Sequence, residues 1–268
     1  MNEDVMAKPE IVGLLARSWL DSGLEDGDTV LVHSALSGFL RSFKENNIEI
    51  TPEDVLDSLI TAVGTFGTLI FPTYNFGFTK GETFDIRNTR SETGVLTECA
   101  RKRSNAVRTG HPLFSFAVIG HHSDKFKGLE NFSAFGMDSP FAKLMQLGGK
   151  IAAIDVAGEF CMTFYHYVVE SESAPNRYHK LFRGNYVNAD GLESAREFNL
   201  FARNLEMGVE TDVKPMEEYL WSKGLFKGDR PGKGSRMHVI DASTVYREAS
   251  KIIRSGRSEG MLYRIERH

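Results

Sequence analysis

The chain has 268 residues, of which 41% are hydrophobic and 25% are charged, and its formal net charge at pH 7 is −4. This composition is typical of a globular protein that can bury a core, and the acidic balance argues against a general nucleic-acid binder, which usually carries a strongly basic face. Two cysteines are too few for a disulfide framework, as is usual in a reducing cytoplasm. No apolar run is long enough for the core of a signal peptide or for a membrane span. A cytoplasmic protein without membrane contact is therefore expected.

The first half of the chain alternates predicted helices and strands. Apolar residues at helical spacing after Pro9 predict a helix that ends near Gly23, and a β-branched run from Asp28 predicts the first central strand. Residues 51–54, with threonine at the N-cap and proline next, predict a second helix, and residues 68–73 predict a second strand. This alternation favours an α/β fold, a mostly parallel central sheet flanked by helices, in a single domain over residues 1–268.

The first predicted strand passes directly into small and hydroxyl residues, Ser34, Ala35, Leu36, Ser37 and Gly38. Such a turn exposes several backbone N–H groups with little side-chain bulk, a surface suited to a phosphate or a pyrophosphate. An ordinary strand-to-helix turn capped by serine explains the same residues equally well.

A second polar turn is expected between two short strands in residues 105–120. Arg108, His111 and Ser115 make it rich in hydrogen-bond donors, and Pro112 keeps the preceding histidine extended. Such a corner suits an anionic cofactor. The long aromatic stretch of residues 74–89 is expected to be a functional loop.

The site of chemistry is expected after the apolar run of residues 150–157, which predicts a buried strand. A helix that starts near Thr163 would place His166 and Glu170, four residues apart, on one helix face. A carboxylate partner fixes the tautomer of an imidazole and raises its basicity, as the deprotonation of an amine or a thiol requires. The alternative is a purely structural pair, and Cys161 is either a nucleophile or a small buried residue.

Beyond this helix, an insertion for substrate binding is expected over about residues 173–235. It begins with a loop that interleaves aromatic rings and cations, namely Arg177, Tyr178, His179, Lys180 and Arg183. Such a loop can hold a sugar or a nucleotide phosphate, or it simply faces solvent. A strand and a helix from Arg236 to Ile253 and a last strand at residues 261–265 complete the predicted fold.

Several of these stretches, taken in order, resemble the aminoglycoside 3-N-acetyltransferase family, whose members move an acetyl group from acetyl-CoA to an amino group. The resemblance rests on Val-His-Ser-Ala-Leu-Ser at residues 32–37, Arg-Thr-Gly-His-Pro-Leu-Phe-Ser at residues 108–115, and residues 158–166. It implies that His166 is the general base, that Thr163 lies near the thioester carbonyl, and that no metal is needed. The coenzyme A contacts that it implies are His33, Ser34, Ala35, Leu36, Ser37, Thr73, Arg108, His111 and Ser115.

Two departures from the family pattern bear on mechanism and substrate. The family's glutamate usually lies three residues after the histidine, where Val169 stands here, so Glu170 is expected to reach the imidazole instead. Residues 159–162 are mostly apolar where drug-modifying members carry a polar run, and the basic loop is badly matched to a polycation. The expected acceptor is therefore an amino sugar, nucleotide-linked and destined for a surface polysaccharide, with an antibiotic as the alternative. Its expected contacts are Tyr74, Asn75, Glu159, Arg177, Tyr178, His179 and Lys180.

Two other classes of function stay open. A metal-dependent hydrolase could use His166, Glu170 and His179 as ligands, although the chain lacks the repeated His or Cys spacing of persuasive metal sites. A protein that binds coenzyme A without catalysis is the other. The sequence does not determine which amine is acylated or whether the protein forms a homodimer.

Overall fold

The computed structural model describes residues 8–156 and 163–266. These ranges contain eight α-helices: α1 (Lys8–Asp21), α2 (Leu36–Lys44), α3 (Pro52–Val63), α4 (Val95–Lys102), α5 (Pro140–Gln146), α6 (Phe164–Ser171), α7 (Lys214–Ser222) and α8 (Ala242–Arg254). They also contain twelve strands: β1 (Thr29–Ser34), β2 (Thr68–Pro72), β3 (Phe84–Asp85), β4 (Val107–Arg108), β5 (Phe116–Gly120), β6 (Lys150–Ile154), β7 (Arg177–Val187), β8 (Glu193–Arg203), β9 (Val209–Thr211), β10 (Lys227–Gly228), β11 (Met237–Asp241) and β12 (Tyr263–Ile265). Within these ranges, no helix combines the length and the apolar character needed to cross a bilayer.

Seven strands form one central sheet in the order β10-β11-β6-β1-β2-β5-β4. The three middle strands, β6, β1 and β2, run parallel, and the outer strands join them in antiparallel pairs. Parallel neighbours need a crossover connection, which α2 and α3 supply between β1 and β2. The predicted α/β fold with a parallel centre and flanking helices is confirmed.

Strand β1 shows that the sheet is covered on both faces. Val30 and Val32 belong to the apolar cluster that includes Trp19 of α1, whereas Leu31 belongs to the opposite cluster, which includes Phe164 of α6. Successive side chains of a strand point to opposite faces, so a strand buried on both sides is a continuous apolar run. This is the pattern from which β1 was predicted.

The predicted helix starts are confirmed where local capping chemistry is strong. The Thr51 hydroxyl accepts a hydrogen bond from the backbone N–H of Asp54, and the Asp54 carboxylate accepts one from the backbone N–H of Thr51, which completes a capping box at α3. At α5, the Ser139 hydroxyl accepts from the backbone N–H of Ala142. Both signals depend only on residues within one turn of the helix start.

The basic stretch of residues 177–183, predicted as a loop, is instead part of strand β7. This strand pairs antiparallel with β8 over its whole length, from Arg177 opposite Arg203 to Val187 opposite Glu193. Most side chains of β7 are at least partly exposed, so the strand lacks the alternation of apolar and polar residues that marks a half-buried strand. With β3, the hairpin makes a second, three-stranded sheet.

Candidate active site

A cavity of about 1200 Å³ opens at the carboxyl end of the parallel strands. Its wall includes Ser34 at the end of β1, Pro72 at the end of β2, and Asp155 and Val156 just after β6. Because neighbouring parallel strands end at one edge of the sheet, the residues that follow them meet there, which is where open α/β sheets bind ligands. The β7–β8 hairpin contributes another part of the wall through Arg177, Tyr178, Lys180, Phe182, Leu200, Phe201, Ala202 and Arg203.

His166 lies on the wall of this cavity, in the first turn of α6 after the N-cap residue Thr163. Its ring centroid is 4.9 Å from that of Phe135. Burial lowers the pKa of His166 well below its usual value, and the positive charges of Arg177 and Arg203 lower it further. The imidazole is therefore neutral near pH 7, the form that can accept a proton.

Glu170, expected to orient the imidazole, makes its contact elsewhere. Its Oε1 accepts a hydrogen bond from Ser133 Oγ at 2.6 Å, and its Oε2 is buried with no partner among the described residues. Burial raises the pKa of this carboxyl group. The Ser133 hydroxyl in turn accepts from the side-chain amide of Asn199 at 2.9 Å. Since no hydrogen bond joins Glu170 to His166 within the described ranges, the geometry does not support the orienting role.

Thr163 lies beside another hydroxyl in the cavity. Its Oγ1 is 2.8 Å from the hydroxyl oxygen of Tyr74, and both residues line the wall. Burial raises the pKa of Tyr74, so its phenol stays protonated. Only one of the two hydroxyl hydrogens is used between the two residues. The other has no partner among the described residues and could donate to a ligand.

The turn after β1 is only partly on the cavity wall. His33, Ser34 and Ala35 line it, whereas Leu36 is buried in the core and Ser37 is exposed on α2. Ala35 is the N-cap of α2 and makes no side-chain hydrogen bond to the first turn in the described structure. The backbone N–H of Ala35 itself donates to the carbonyl oxygen of Ile154. Only the N–H groups of the first turn of α2, which no described side chain caps, are therefore left for an anionic ligand.

The second polar corner uses its donors internally. The guanidinium group of Arg108 donates to three backbone carbonyl groups and to the Ser115 hydroxyl, and burial lowers its pKa to about 10. The ring of His111 accepts from the backbone N–H of Phe114 and lies against a carbonyl group of β8. In the described part of the chain these residues and Thr73 are not on the cavity wall. The geometry gives them a structural role and does not support the expected contact with coenzyme A.

The expected substrate contacts are divided between the cavity and other places. Asn75 donates to the Glu92 carboxylate and lies off the wall, and His179 bonds to a side-chain amide of β8. Glu159, together with Cys161, lies outside the described residues. The expected contacts that do line the cavity are Tyr74, Arg177, Tyr178 and Lys180.

The sequence did not identify three charged residues of the wall, namely Glu92, Asp155 and Arg203. Asp155 follows β6 with a φ of 53°, and its carboxylate is 2.9 Å from the guanidinium group of Arg236. Arg203 ends β8 and lies directly opposite Arg177. Arg203 reaches the cavity wall because the register of the hairpin pairs it with Arg177. That register cannot be predicted from a strand whose sequence does not alternate apolar and polar residues.

The metal-hydrolase alternative required His166, Glu170 and His179 to converge. Glu170 bonds to Ser133 and His179 bonds to Asn199 instead. In residues 8–156 and 163–266, no group of three or more His, Cys, Asp or Glu side chains is placed to hold a metal ion.

Known proteins match this chain over most of its length. Residues 31–254 match the family model described as aminoglycoside 3-N-acetyltransferase. Over 183 residues the chain is 29% identical to aminoglycoside N(3)-acetyltransferase VII of Streptomyces paromomycinus. That match spans 61% of this chain and 61% of the relative, so the chain covers less than two thirds of the relative's length.

Solved structures share the fold, as two of them illustrate. The structure of AAC-IIIb binary with CoASH has a TM-score of 0.77 at 18% identity. This match covers 94% of this chain and 97% of the AAC-IIIb chain. The structure of AAC-VIa bound to sisomicin has a TM-score of 0.76 at 19% identity. This match covers 95% of this chain and 99% of the AAC-VIa chain. The family model, which spans well over half of the sequence, is the stronger finding. The chain belongs to the aminoglycoside 3-N-acetyltransferase family.

Proposed function

We propose that this protein is an N-acetyltransferase that moves an acetyl group from acetyl-CoA to an amine of an amino sugar. The observation that carries the proposal is a single cavity that joins the neutral imidazole of His166 to the turn at Ser34 and Ala35. Transfer to an amine requires a base for the acceptor and a binding surface for the donor within one site. Membership of the family supports the same reaction.

Coenzyme A suits the residues at the turn after β1. The start of α2 offers backbone N–H groups that no described side chain caps, and Ser34 adds a hydroxyl group, so this turn would hold phosphate oxygens. The neighbouring AAC-IIIb structure is binary with CoASH, which supports coenzyme A as the carrier. Acetyl-CoA, when bound, supplies an activated acetyl carbonyl.

His166 acts in this proposal as the general base that takes the proton from the acceptor amine as its nitrogen bonds to the carbonyl carbon. The bond between that carbon and the sulfur of coenzyme A then breaks, and the thiolate leaves and takes up a proton as free coenzyme A. Its lowered pKa keeps the imidazole unprotonated near pH 7. The Thr163 hydroxyl, placed by Tyr74, supplies a hydrogen-bond donor for the negative charge that develops on the carbonyl oxygen. No covalent intermediate on the enzyme is needed.

The relatives and the charges of the cavity favour different acceptors. The relative from Streptomyces paromomycinus is named an aminoglycoside N(3)-acetyltransferase and a neighbour is bound to sisomicin, so aminoglycosides are the first acceptors to test. The cations Arg177, Lys180 and Arg203 on the wall favour instead an amino sugar with an anionic group, so a nucleotide-linked sugar is the second candidate. A role in surface polysaccharide synthesis stays a prediction.

The test is thiol release from acetyl-CoA with a panel of aminoglycosides and other amino sugars. His166→Asn is expected to lower kcat by roughly a hundredfold to ten-thousandfold with the affinity for acetyl-CoA unchanged, because it removes only the base. His121→Asn, which changes an exposed histidine off the cavity wall, is the matched control and should keep full activity. Full turnover by His166→Asn would contradict the mechanism. Binding of acetyl-CoA without acetylation of any amine would favour the non-catalytic alternative.

A further inference from the structure

The cavity wall beside His166 carries three cations without a carboxylate partner. Arg177 and Arg203 lie directly opposite each other on the β7–β8 hairpin, and Lys180 lies three residues further along β7. Among the residues that the structure describes, none of the three forms an ion pair. The Lys180 ammonium group lies over the ring of Phe182, 5.4 Å from its centroid. In the described structure, these three cations of the cavity wall therefore lack a direct ion-pair partner.

Arg177 is fixed in place by neutral groups. Its Nη1 donates to the carbonyl oxygen of Phe201 at 3.1 Å and its Nη2 to Thr211 Oγ1 at 3.3 Å, while its Nε–H is buried without a partner in the described ranges. Burial lowers the pKa of Arg177 to about 10, and the charge of Arg203 contributes. A buried guanidinium group without an opposite charge is costly, and an anion would offset that cost.

The carboxylates around these cations have other partners. Glu210, whose pKa is lowered in part by Arg203, accepts a hydrogen bond from Arg264 at 2.6 Å. On the cavity wall, Asp155 is held in an ion pair with Arg236, and Glu92 accepts a hydrogen bond from the side-chain amide of Asn75. Since like charges directly opposite on a hairpin disfavour its pairing, the arginine pair is a cost to the fold unless a ligand neutralises it.

We propose that Arg177 and Arg203 form an anion subsite for the acceptor, so that the acetylated amine belongs to a small molecule that carries a phosphate or a carboxylate. This inference rests on the proposed function, since it takes the occupant of the cavity to be the acceptor. Guanidinium groups bind both kinds of oxyanion through paired N–H donors. A polycation would meet repulsion at the same place.

The subsite also bears on the base. His166, Arg177 and Arg203 line the same cavity, so one small molecule bound there can contact both the arginines and the base. The charges of both arginines also lower the pKa of His166. An anion between the arginines offsets their charges, and this favours the protonated form of the imidazole. An acceptor with the anionic group would therefore strengthen the base that removes its own proton.

The first test follows the imidazole of His166 by NMR in the full chain, with the signal assigned from His166→Gln. Inorganic phosphate is expected to raise the pKa of His166 in the wild type and to leave it unchanged in Arg203→Gln. Arg203 is exposed, so this substitution leaves the core intact. Arg183→Gln is the matched control: Arg183 lies on the same hairpin but off the wall, in an ion pair with Glu197, and this variant should respond like the wild type.

The second test uses glucosamine and glucosamine 6-phosphate, which differ by one phosphate. The phosphorylated sugar is expected to bind the wild type about tenfold or more tightly, and Arg203→Gln should remove that advantage while the affinity for coenzyme A stays the same. Equal binding of the two sugars, or a phosphate effect on His166 that persists in Arg203→Gln, overturns the inference. A parallel loss of affinity for coenzyme A also overturns it, because the anion would then belong to the donor. Preference for the phosphorylated sugar without thiol release from any amine would refute the proposed function and uphold the subsite.

Discussion

His166 and Glu170 lie four residues apart on α6, yet their side chains have different neighbours. The imidazole lies against Phe135 on the cavity wall, and the carboxylate bonds to Ser133. A spacing of four allows two helix side chains to touch but does not require it, and a serine hydroxyl at 2.6 Å competes for the carboxylate. The basicity of His166 then depends on burial and on the nearby arginines rather than on an acid partner.

Glu170→Gln is accordingly expected to lower kcat by less than about tenfold, well short of the loss expected for His166→Asn. Glutamine keeps an oxygen that can accept the hydrogen bond from Ser133. Steady-state thiol release checks this, with Glu172→Gln as the control, since Glu172 lies near the end of the same helix and pairs with Arg254 off the cavity. A loss in Glu170→Gln as large as that in His166→Asn would restore the orienting role.

Helix α3 and strand β7 show which elements could be predicted. The start of α3 follows from Thr51, Pro52 and Asp54 alone, because capping involves neighbours in the chain. Strand β7 is stabilised by its pairing with β8, and its own side chains are too exposed to show a period of two. Its polar sequence therefore predicts a loop, although the residues form a strand.

The same distinction holds within the candidate site. His166 and Ser34 could be found because each follows a strand that the sequence identifies, and such residues meet at the edge of the sheet. The hydrogen-bond donors at Arg108 predict a ligand contact, but a sequence does not tell whether a donor bonds to a ligand or to the protein's own carbonyl groups. Arg203 required the hairpin register.

The capping box at α3 gives a prediction at the scale of this helix. Thr51→Ala removes the hydroxyl that accepts from the backbone N–H of Asp54, so the free energy of unfolding in urea should fall by about 1 kcal/mol. Thr61→Ala is the control: this exposed hydroxyl bonds only to a carbonyl group within the helix, and its loss should change stability by less than about 0.5 kcal/mol. Equal effects of the two substitutions would show that the cap does not stabilise α3.

Three histidines are buried among the residues that the structure describes: His33 in β1, His111 before β5 and His238 in β11. Burial lowers the pKa of His33 and of His238 to about 4 and that of His111 to about 3. His33 and His238 both pair in register with Ala153, one from each side of β6. The charge of His238 adds to the lowering at His33, so protonation of either imidazole disfavours protonation of the other.

These imidazoles are expected to make the fold sensitive to mild acid. In the unfolded chain a histidine titrates near pH 6.5, whereas the three folded imidazoles titrate near 3 to 4, so between these values the unfolded state binds more protons. Their contribution to stability is therefore full above about pH 6.5 and is lost as the pH falls toward 4. At pH 5 the loss should be about 2 kcal/mol for each histidine, measured as the difference between urea unfolding at pH 7 and at pH 5.

His238→Leu tests the contribution of His238 to this loss of stability between pH 7 and pH 5. Both ring nitrogens of His238 are buried without a partner in the described structure, so leucine removes an unsatisfied polar group and should leave stability at pH 7 unchanged or higher. The loss between pH 7 and pH 5 should then shrink by about 2 kcal/mol. Leu56→Ala truncates a buried side chain of α3 and removes no titratable group, so it should lower stability equally at both pH values. If His238→Leu kept the pH dependence of the wild type, His238 would not be the neutral, buried imidazole that its surroundings imply.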